Sequence, residues 1–413
     1  MKPALQQDMT VAVPSNISMR GRPAEAGSNA LTGYTAVEDA TVVRRLREAG
    51  AHLRSSACVG EFGFGLPVGG AAAVAPRPSA GGAEAVDGAE LLMDFMGESR
   101  LAAAHASIYG LKPSYGLVSR FGLIGLIPSM ECCGILSGSL NTIGEVLMTV
   151  AGQDGLDFSL PEEDAPDFSP REIRPEEITI GIITEAQSMA AGAERSPATG
   201  DSRGAPTPRG AEGFRASMEE LRRLGFTLRE VSLPGYELFS LVHRVVGSVE
   251  ASSAAGRYDS VRYGPRAPGA KNWNEMYLMS RGAAFGTLIK SYLIQGAFFQ
   301  FERYEAFIDA CRIRARLVED MRRLESEVDF FVLPMDDGPA QEVRSGAGVP
   351  PSLAGLYESH ASTLYANVTG QPALYLPPVP GSAPTGFQLT GPRLSDGRLL
   401  DLGRFISESW GGE

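Results

Sequence analysis

The 413-residue sequence has few of the residues that metal sites and disulfide frameworks require. It contains four cysteines and four histidines. No C-x-x-C pair occurs, and the adjacent Cys132 and Cys133 are typical of small buried side chains rather than zinc ligands. The sequence therefore predicts no metal site and no cofactor. Four scattered thiols are typical of a protein in a reducing cytoplasm.

Long apolar runs are also missing. No run approaches the roughly 20 residues that a membrane-spanning helix needs. The N-terminal residues M-K-P-A-L-Q-Q-D-M-T lack the apolar centre of a signal peptide. These features predict a soluble, cytoplasmic protein.

Positive charge is in short supply, with 37 Lys and Arg against 49 Asp and Glu, for a net charge of −12. A broad nucleic-acid surface needs a basic face, so direct binding of nucleic acid is not expected. The phosphate-binding pattern G-x-x-x-x-G-K-[ST] does not occur either. The composition thus leaves a soluble enzyme or binding protein as the expected class.

Hydrophobic periodicity alternates between short β runs and longer helical segments, which predicts an α/β fold. Residues 11–13 are a β-branched run, 36–50 have helical spacing ending at Gly50, and 51–55 again form a β run. A strand–helix–strand unit of this kind favours a mainly parallel sheet. Residues 192–213 are rich in Gly, Ser, Pro and Ala, and they predict a flexible insertion.

Two motifs resemble those of the amidase-signature hydrolases. Residues 110–116 read G-L-K-P-S-Y-G, and 250–264 read E-A-S-S-A-A-G-R-Y-D-S-V-R-Y-G. The second motif most resembles the A subunit of the glutamyl-tRNA(Gln) amidotransferases. Shorter similarities lie at 39–51 and 384–392.

This resemblance implies the fold: one amidase-type domain over residues 11–395, with a mixed twisted β-sheet between layers of helices. Residues 1–10 would be a tail, 396–413 a C-terminal segment, and the family's N-terminal helices would be absent. The resemblance also implies a chemistry. In the family a lysine is the base, a bridging serine relays the proton, a second serine attacks the amide, and backbone N–H groups of a Gly-rich turn hold the oxyanion.

The catalytic positions of this family hold other residues here. The lysine position falls on Pro14, the bridging serine on Ala71 and the nucleophile on Glu98. Proline and alanine have no side-chain proton to exchange, so Pro14 and Ala71 cannot act as base and relay.

Residues 94–100 read D-F-M-G-E-S-R where the family has D-T-G-G-S-I-R, so Asp94, Gly97 and Arg100 keep register as candidate binding residues. Met96 replaces a glycine and cannot easily adopt a positive φ. A charged Glu98 would repel a developing oxyanion by about 4 kcal/mol at a separation of about 4 Å. Ser99, one residue off register, is the one candidate nucleophile.

Positions that bind the substrate in the family also hold other residues in this sequence. A family arginine that would hold a carboxylate is absent from the run I-K-S-Y-L at 289–293, and His360 occupies an acidic position. Tyr258 and Arg262, in the best-matched motif, either line the former pocket or brace the fold. Lys112 and His105 are expected to be structural, and the pair Asp336 and Asp337 is expected to lie in a turn.

Three hypotheses follow. The chain is a non-catalytic relative of the amidotransferase A subunit that binds an amidotransferase partner, a small amide or an amino acid. Alternatively it is an active amide hydrolase or amidotransferase component with a site rebuilt around Ser99. The third hypothesis is a decayed gene product without a stable function.

Overall fold

The computed structural model describes residues 5, 9–56, 60–65, 88–161, 166–190, 208–335, 352–379 and 386–411. Ala71 and the Asp336–Asp337 pair lie outside these residues, as does most of the expected 192–213 insertion. None of the helices in the described part is both long and apolar enough to cross a membrane.

Within the described residues, ten strands form one sheet in the order β2-β1-β3-β5-β4-β9-β10-β8-β6-β7. Their bounds are β1 Thr10–Pro14, β2 His52–Ser56, β3 Gly88–Asp94, β4 Tyr109–Lys112, β5 Cys132–Ser137, β6 Thr179–Ile183, β7 Thr227–Val231, β8 Phe330–Pro334, β9 Ala373–Leu376 and β10 Phe387–Thr390.

Parallel pairing occurs at the two ends of this sheet, where β1 pairs with β2 and β3, and β6 with β7 and β8. The central pairings β3–β5, β5–β4, β4–β9, β9–β10 and β10–β8 are antiparallel. The expectation of a mainly parallel sheet is therefore wrong, because the strand–helix–strand unit near the N-terminus builds only one end. The mixed sheet implied by the family resemblance is confirmed.

Twelve α-helices lie in the described part of the chain. Their bounds are α1 Thr41–Glu48, α2 Glu98–Ala106, α3 Leu140–Val150, α4 Thr184–Ala190, α5 Pro208–Arg223, α6 Leu238–Ala254, α7 Trp273–Ala284, α8 Thr287–Phe301, α9 Tyr304–Glu325, α10 Leu353–Ser359, α11 Leu364–Thr369 and α12 Asp396–Ser409.

Two hydrophobic cores lie on opposite faces of the sheet, as strand β8 shows. Its residues Phe330 and Val332 belong to the core formed with α1, α3, α5 and α12. The alternate residues Phe331 and Leu333 belong to the core formed with α6, α8, α9 and α11. Successive side chains of a strand point to opposite faces, so a strand buried on both sides is apolar throughout.

Two segment boundaries differ from the sequence-based expectation. Helix α5 begins at Pro208, so the last residues of the expected 192–213 insertion are helical. Residues 396–409, expected to belong to a separate C-terminal segment, form α12, whose Leu399, Leu402 and Ile406 are fully buried. The amphipathic spacing of these apolar residues places α12 against α3 and β9 in the main core.

Candidate functional site

The candidate site lies where β3 ends and α2 begins, and its centre is a turn of three backbone N–H groups. We call residues 95–97 the donor turn. Gly97 adopts φ +114°, and a Cβ atom there would lie 2.2 Å from the Cβ of Thr363. Only glycine fits such a conformation and such a contact. Met96 is not among the described residues with positive φ, so the turn tolerates methionine at that position.

The side chain of Glu98 occupies this turn. Its Oε2 accepts the N–H groups of Phe95 at 3.0 Å, Met96 at 2.8 Å and Gly97 at 3.1 Å. Glu98 is fully buried. Buried backbone N–H groups need an acceptor, and Glu98 supplies one to these three. The donors that could stabilise an oxyanion are therefore already satisfied by the chain itself.

The surroundings of Glu98 favour its protonated form, whereas the sequence led us to expect a charged one. Burial and the neighbouring carboxylate of Asp94 raise the pKa of Glu98 to about 8, although backbone N–H donors, among them those of Met96 and Phe95, act in the opposite direction. Its second oxygen, Oε1, is buried and has no hydrogen-bond partner within the described structure. Glu98 is thus a neutral acid at pH 7, and it blocks the turn by occupancy rather than by repulsion.

Asp94 lies at the end of β3 and caps α2. Its Oδ1 accepts the N–H of Gly97 at 3.1 Å and an amide N–H of Asn367 at 2.8 Å. Its Oδ2 accepts the N–H of Ser99 at 3.1 Å and the hydroxyl of the same serine. Burial opposes the ionisation of Asp94, but the charges of Arg100 and Lys112 and the side-chain donors Ser99 and Asn367 lower its pKa overall. Asp94 is therefore an ionised structural anchor.

Ser99 is held in this cap rather than presented to a substrate. It is fully buried, and a Cβ atom on Gly134 would lie 2.6 Å from the Ser99 Cβ, so strand β5 passes directly against it. The described hydrogen bonds of its hydroxyl lead to Asp94 alone. The carboxylate is a titratable partner, but its lowered pKa makes it a poor base.

Arg100 ties the helix to the other half of the domain. Its guanidinium donates to the Thr363 carbonyl at 3.0 Å, to Gln388 Oε1 at 2.9 Å and to Asn367 Oδ1 at 2.7 Å. It also lies 3.6 Å from Asp94 Oδ1, and both side chains are completely buried. The fork geometry of arginine suits several fixed acceptors at once. Because these acceptors all belong to the protein, this arginine has a structural rather than a substrate-binding environment.

A hydrogen-bonded network of polar side chains from α6, α8 and α10 packs against the donor turn. His243 Nε2 lies 2.7 Å from the Phe95 carbonyl, and its Nδ1 lies 2.9 Å from the Tyr357 hydroxyl. A carbonyl only accepts, so Nε2 carries the proton and Nδ1 accepts from Tyr357. Burial lowers the pKa of His243 to about 4, so the ring is neutral. The Tyr292 hydroxyl, 3.0 Å from that of Tyr357, completes the network.

The other residues singled out from the sequence lie in structural contacts. Pro14 is buried at the end of β1 and pairs with Ser56. Tyr258 is buried and stacks on Phe62 with ring centroids 4.9 Å apart, which favours bracing over pocket lining. Arg262 is exposed. The structure thus brings together Asp94, Gly97, Glu98, Ser99 and Arg100, while Tyr258 and Arg262 make no described contact with them.

Lys112 and His360 are both buried. Lys112 Nζ donates to the Pro113 carbonyl at 2.8 Å. His360 Nδ1 lies 2.9 Å from the Leu356 carbonyl, so this histidine is a buried, hydrogen-bonded residue rather than an exposed one. Burial lowers the pKa of His360 to about 4. Neither side chain is placed as a base for Ser99 by a described hydrogen bond.

Sequence reasoning missed His243, Asn367, Thr363 and Tyr357. They come from segments far from residue 98 in the chain, so no local pattern connects them to the turn.

Comparisons with known proteins show what the chain is similar to. The model of the Amidase family matches residues 8–68 and 94–400. The glutamyl-tRNA(Gln) amidotransferase A subunit of Natronomonas pharaonis is 32% identical, over 97% of this chain and 95% of its own. The chloroplastic/mitochondrial A subunit of Zea mays is 30% identical, over 97% of this chain and 76% of its own.

Solved structures show the same fold. The A subunit of the Thermotoga maritima glutamyl-tRNA(Gln) amidotransferase has a TM-score of 0.74 at 22% identity, covering 98% of this chain and 84% of its own. A 6-aminohexanoate cyclic dimer hydrolase has a TM-score of 0.73 at 16% identity, covering 97% and 85%. Together with the match to the family model, these similarities show that the chain belongs to the Amidase family.

Proposed function

We propose that this chain is a non-catalytic member of the family, of the A-subunit type, which acts by assembling with a partner protein rather than by cleaving an amide. The observation that carries the proposal is the carboxyl group of Glu98 on all three donors of the donor turn. A tetrahedral intermediate needs these donors free, and losing one such donor costs about 3–4 kcal/mol of transition-state stabilisation in other hydrolases.

The positions that correspond to the base and the relay support the same conclusion. Pro14 has no titratable side chain, and its ring is buried in β1. Alanine occupies position 71 in place of the relay serine. An alcohol nucleophile is weak until an adjacent base takes its proton. Base, relay and nucleophile are thus replaced together.

Partner assembly is supported by the relatives and by an apolar stripe on α8. The curated relatives are named as A subunits of amidotransferases. Ile294, Phe298 and Phe301 are 70%, 47% and 74% exposed and recur at intervals of four and three residues, the spacing of a helix–helix seam.

Charge indicates what kind of helix would cover this stripe. Residues 257–303 carry seven Lys and Arg against three Asp and Glu, within a chain of net charge −12. The stripe therefore suits an amphipathic helix with acidic flanks, supplied by a partner protein.

Size-exclusion chromatography tests this docking. When the chain is mixed with the other amidotransferase subunits from the same source, it should co-elute with them. Phe298→Glu should abolish the co-elution, whereas separate elution of the wild type would refute the docking.

A second candidate function, amide hydrolysis through Ser99, is favoured by one observation, the hydrogen bond between the Ser99 hydroxyl and Asp94. Against it stand the complete burial of Ser99 and the lowered pKa of Asp94.

Intact-mass spectrometry after exposure to a fluorophosphonate separates the two functions. We expect no stoichiometric adduct on the wild type. A single adduct that Ser99→Ala removes would establish Ser99 as an activated nucleophile.

A further inference from the structure

The donor turn holds a carbonyl-type oxygen that the chain supplies from its own side chain. Glu98 Oε2 accepts three N–H groups, while Oε1, equally buried, accepts none among the described residues. An ionised carboxylate would leave half of its charge on an oxygen without a donor, which is costly in a buried site. A neutral carboxyl group leaves only an O–H group without an acceptor at Oε1, which costs less than an unpaired charge, while its carbonyl oxygen Oε2 is fully supplied with donors.

The charged groups around Glu98 also favour a neutral carboxyl group. Asp94 shares the Gly97 N–H with Glu98, at 3.1 Å from each acceptor oxygen, so a second negative charge would face the first directly. The nearby cation Arg100 is paired with Asp94, and Lys112 donates to a backbone carbonyl. From the opposite side the turn meets the neutral His243 and the hydroxyl of Tyr357. No described cation makes an ion pair with Glu98.

We infer that the donor turn is a binding site for a neutral carbonyl oxygen, filled in cis by Glu98, and that shortening Glu98 opens it to a small primary amide. The amide would place its carbonyl oxygen on the N–H groups of Phe95, Met96 and Gly97. A carboxylate of the same size would bind less well because it would bring a charge beside Asp94. No bond is made or broken in this binding, so it is independent of whether the chain has any turnover.

Chemical rescue tests the inference. Thermal unfolding of wild type, Glu98→Ala and Glu98→Gln is followed at pH 7 against increasing acetamide, and in parallel against sodium acetate matched with sodium chloride. We expect Glu98→Ala to show a saturable rise in Tm with acetamide and a smaller one with acetate. Wild type and Glu98→Gln should show neither, because a side-chain carbonyl already fills the turn. A folded Glu98→Ala that does not respond to acetamide would overturn the inference. So would an equal response from all three proteins, or a larger one to acetate.

A second pair of variants covers the case in which Glu98→Ala does not fold. Glu98→Gln keeps a carbonyl oxygen, whereas Glu98→Met has a similar length and no strong acceptor. Glu98→Gln should unfold near the wild-type temperature, and Glu98→Met well below it, because three buried N–H groups lose their acceptor. Equal stability of Glu98→Met and wild type would show that the turn does not require a carbonyl oxygen. Either result leaves the proposed lack of catalysis to be decided by its own assay.

Discussion

Replacing Arg100 by methionine should lower the free energy of unfolding by about 3–5 kcal/mol. The substitution keeps the length of the side chain but leaves Asp94, Asn367 and Gln388 without their buried cationic partner. Removing one member of a buried ion pair is costly because the other charge stays in a medium that solvates it poorly. Urea unfolding curves, compared at equal slope, measure the loss.

Two controls show whether the cost comes from this network. Arg100→Lys retains the charge beside Asp94 but loses the fork that reaches several acceptors, so its loss should be intermediate. Arg316→Met removes an exposed pair, since 84% of the Arg316 side chain is accessible, and should change stability by less than about 0.5 kcal/mol. An Arg100→Met loss as small as that of Arg316→Met would contradict the assigned role.

The second large effect is a dependence of stability on pH that originates at Glu98. The pKa of this carboxyl group is raised from 4.5 to about 8 in the folded chain by burial and by Asp94. Between these two pH values the unfolded chain has lost a proton that the folded chain retains. The stabilisation is therefore complete below pH 4.5 and is lost as the pH rises through 8, by roughly 3–5 kcal/mol at about 1.4 kcal/mol per pKa unit.

Glu98→Gln isolates this contribution because it imitates the protonated acid and does not titrate. The difference in unfolding free energy between wild type and Glu98→Gln should shift in favour of Glu98→Gln between pH 5 and pH 8. His243 and His360, whose pKa values are lowered from 6.5 to about 4, add a dependence of stability on pH below about 6.5, but it is the same in both proteins and cancels in the difference. A difference that stays constant over this range would show that Glu98 is ionised in the fold.

Much of the fold could be predicted from local pattern. The β runs at 11–13 and 51–55 and the helical segment that ends at Gly50 reflect apolar residues at strand or helix spacing, which neighbouring residues fix. The antiparallel centre of the sheet could not be derived in this way. The pairing of β4 with β9 joins residues more than 250 positions apart, and no local pattern records such a partner.

In the candidate site, too, some features follow from the local sequence and others depend on packing between distant segments. Register with the family motif identified Asp94, Gly97, Glu98 and Arg100 from the sequence alone. The protonation state of Glu98 was beyond that reasoning, because it depends on burial and on the position of Asp94 within the turn. The burial of Ser99 depends likewise on β5, through the close approach of Gly134. Both are properties of packing between distant segments.

Ammonia release from glutamine, asparagine and simple amides tests the central claim most directly. The wild type, Ser99→Ala and Glu98→Ala are measured alone and after mixing with the other amidotransferase subunits. Glu98 fills the donor turn, and we propose that the positions of base, relay and nucleophile are replaced. We therefore predict no release above the buffer blank for any of the three, in either condition. Turnover by the wild type that Ser99→Ala abolishes would contradict this account and would establish a catalytic site rebuilt around Ser99.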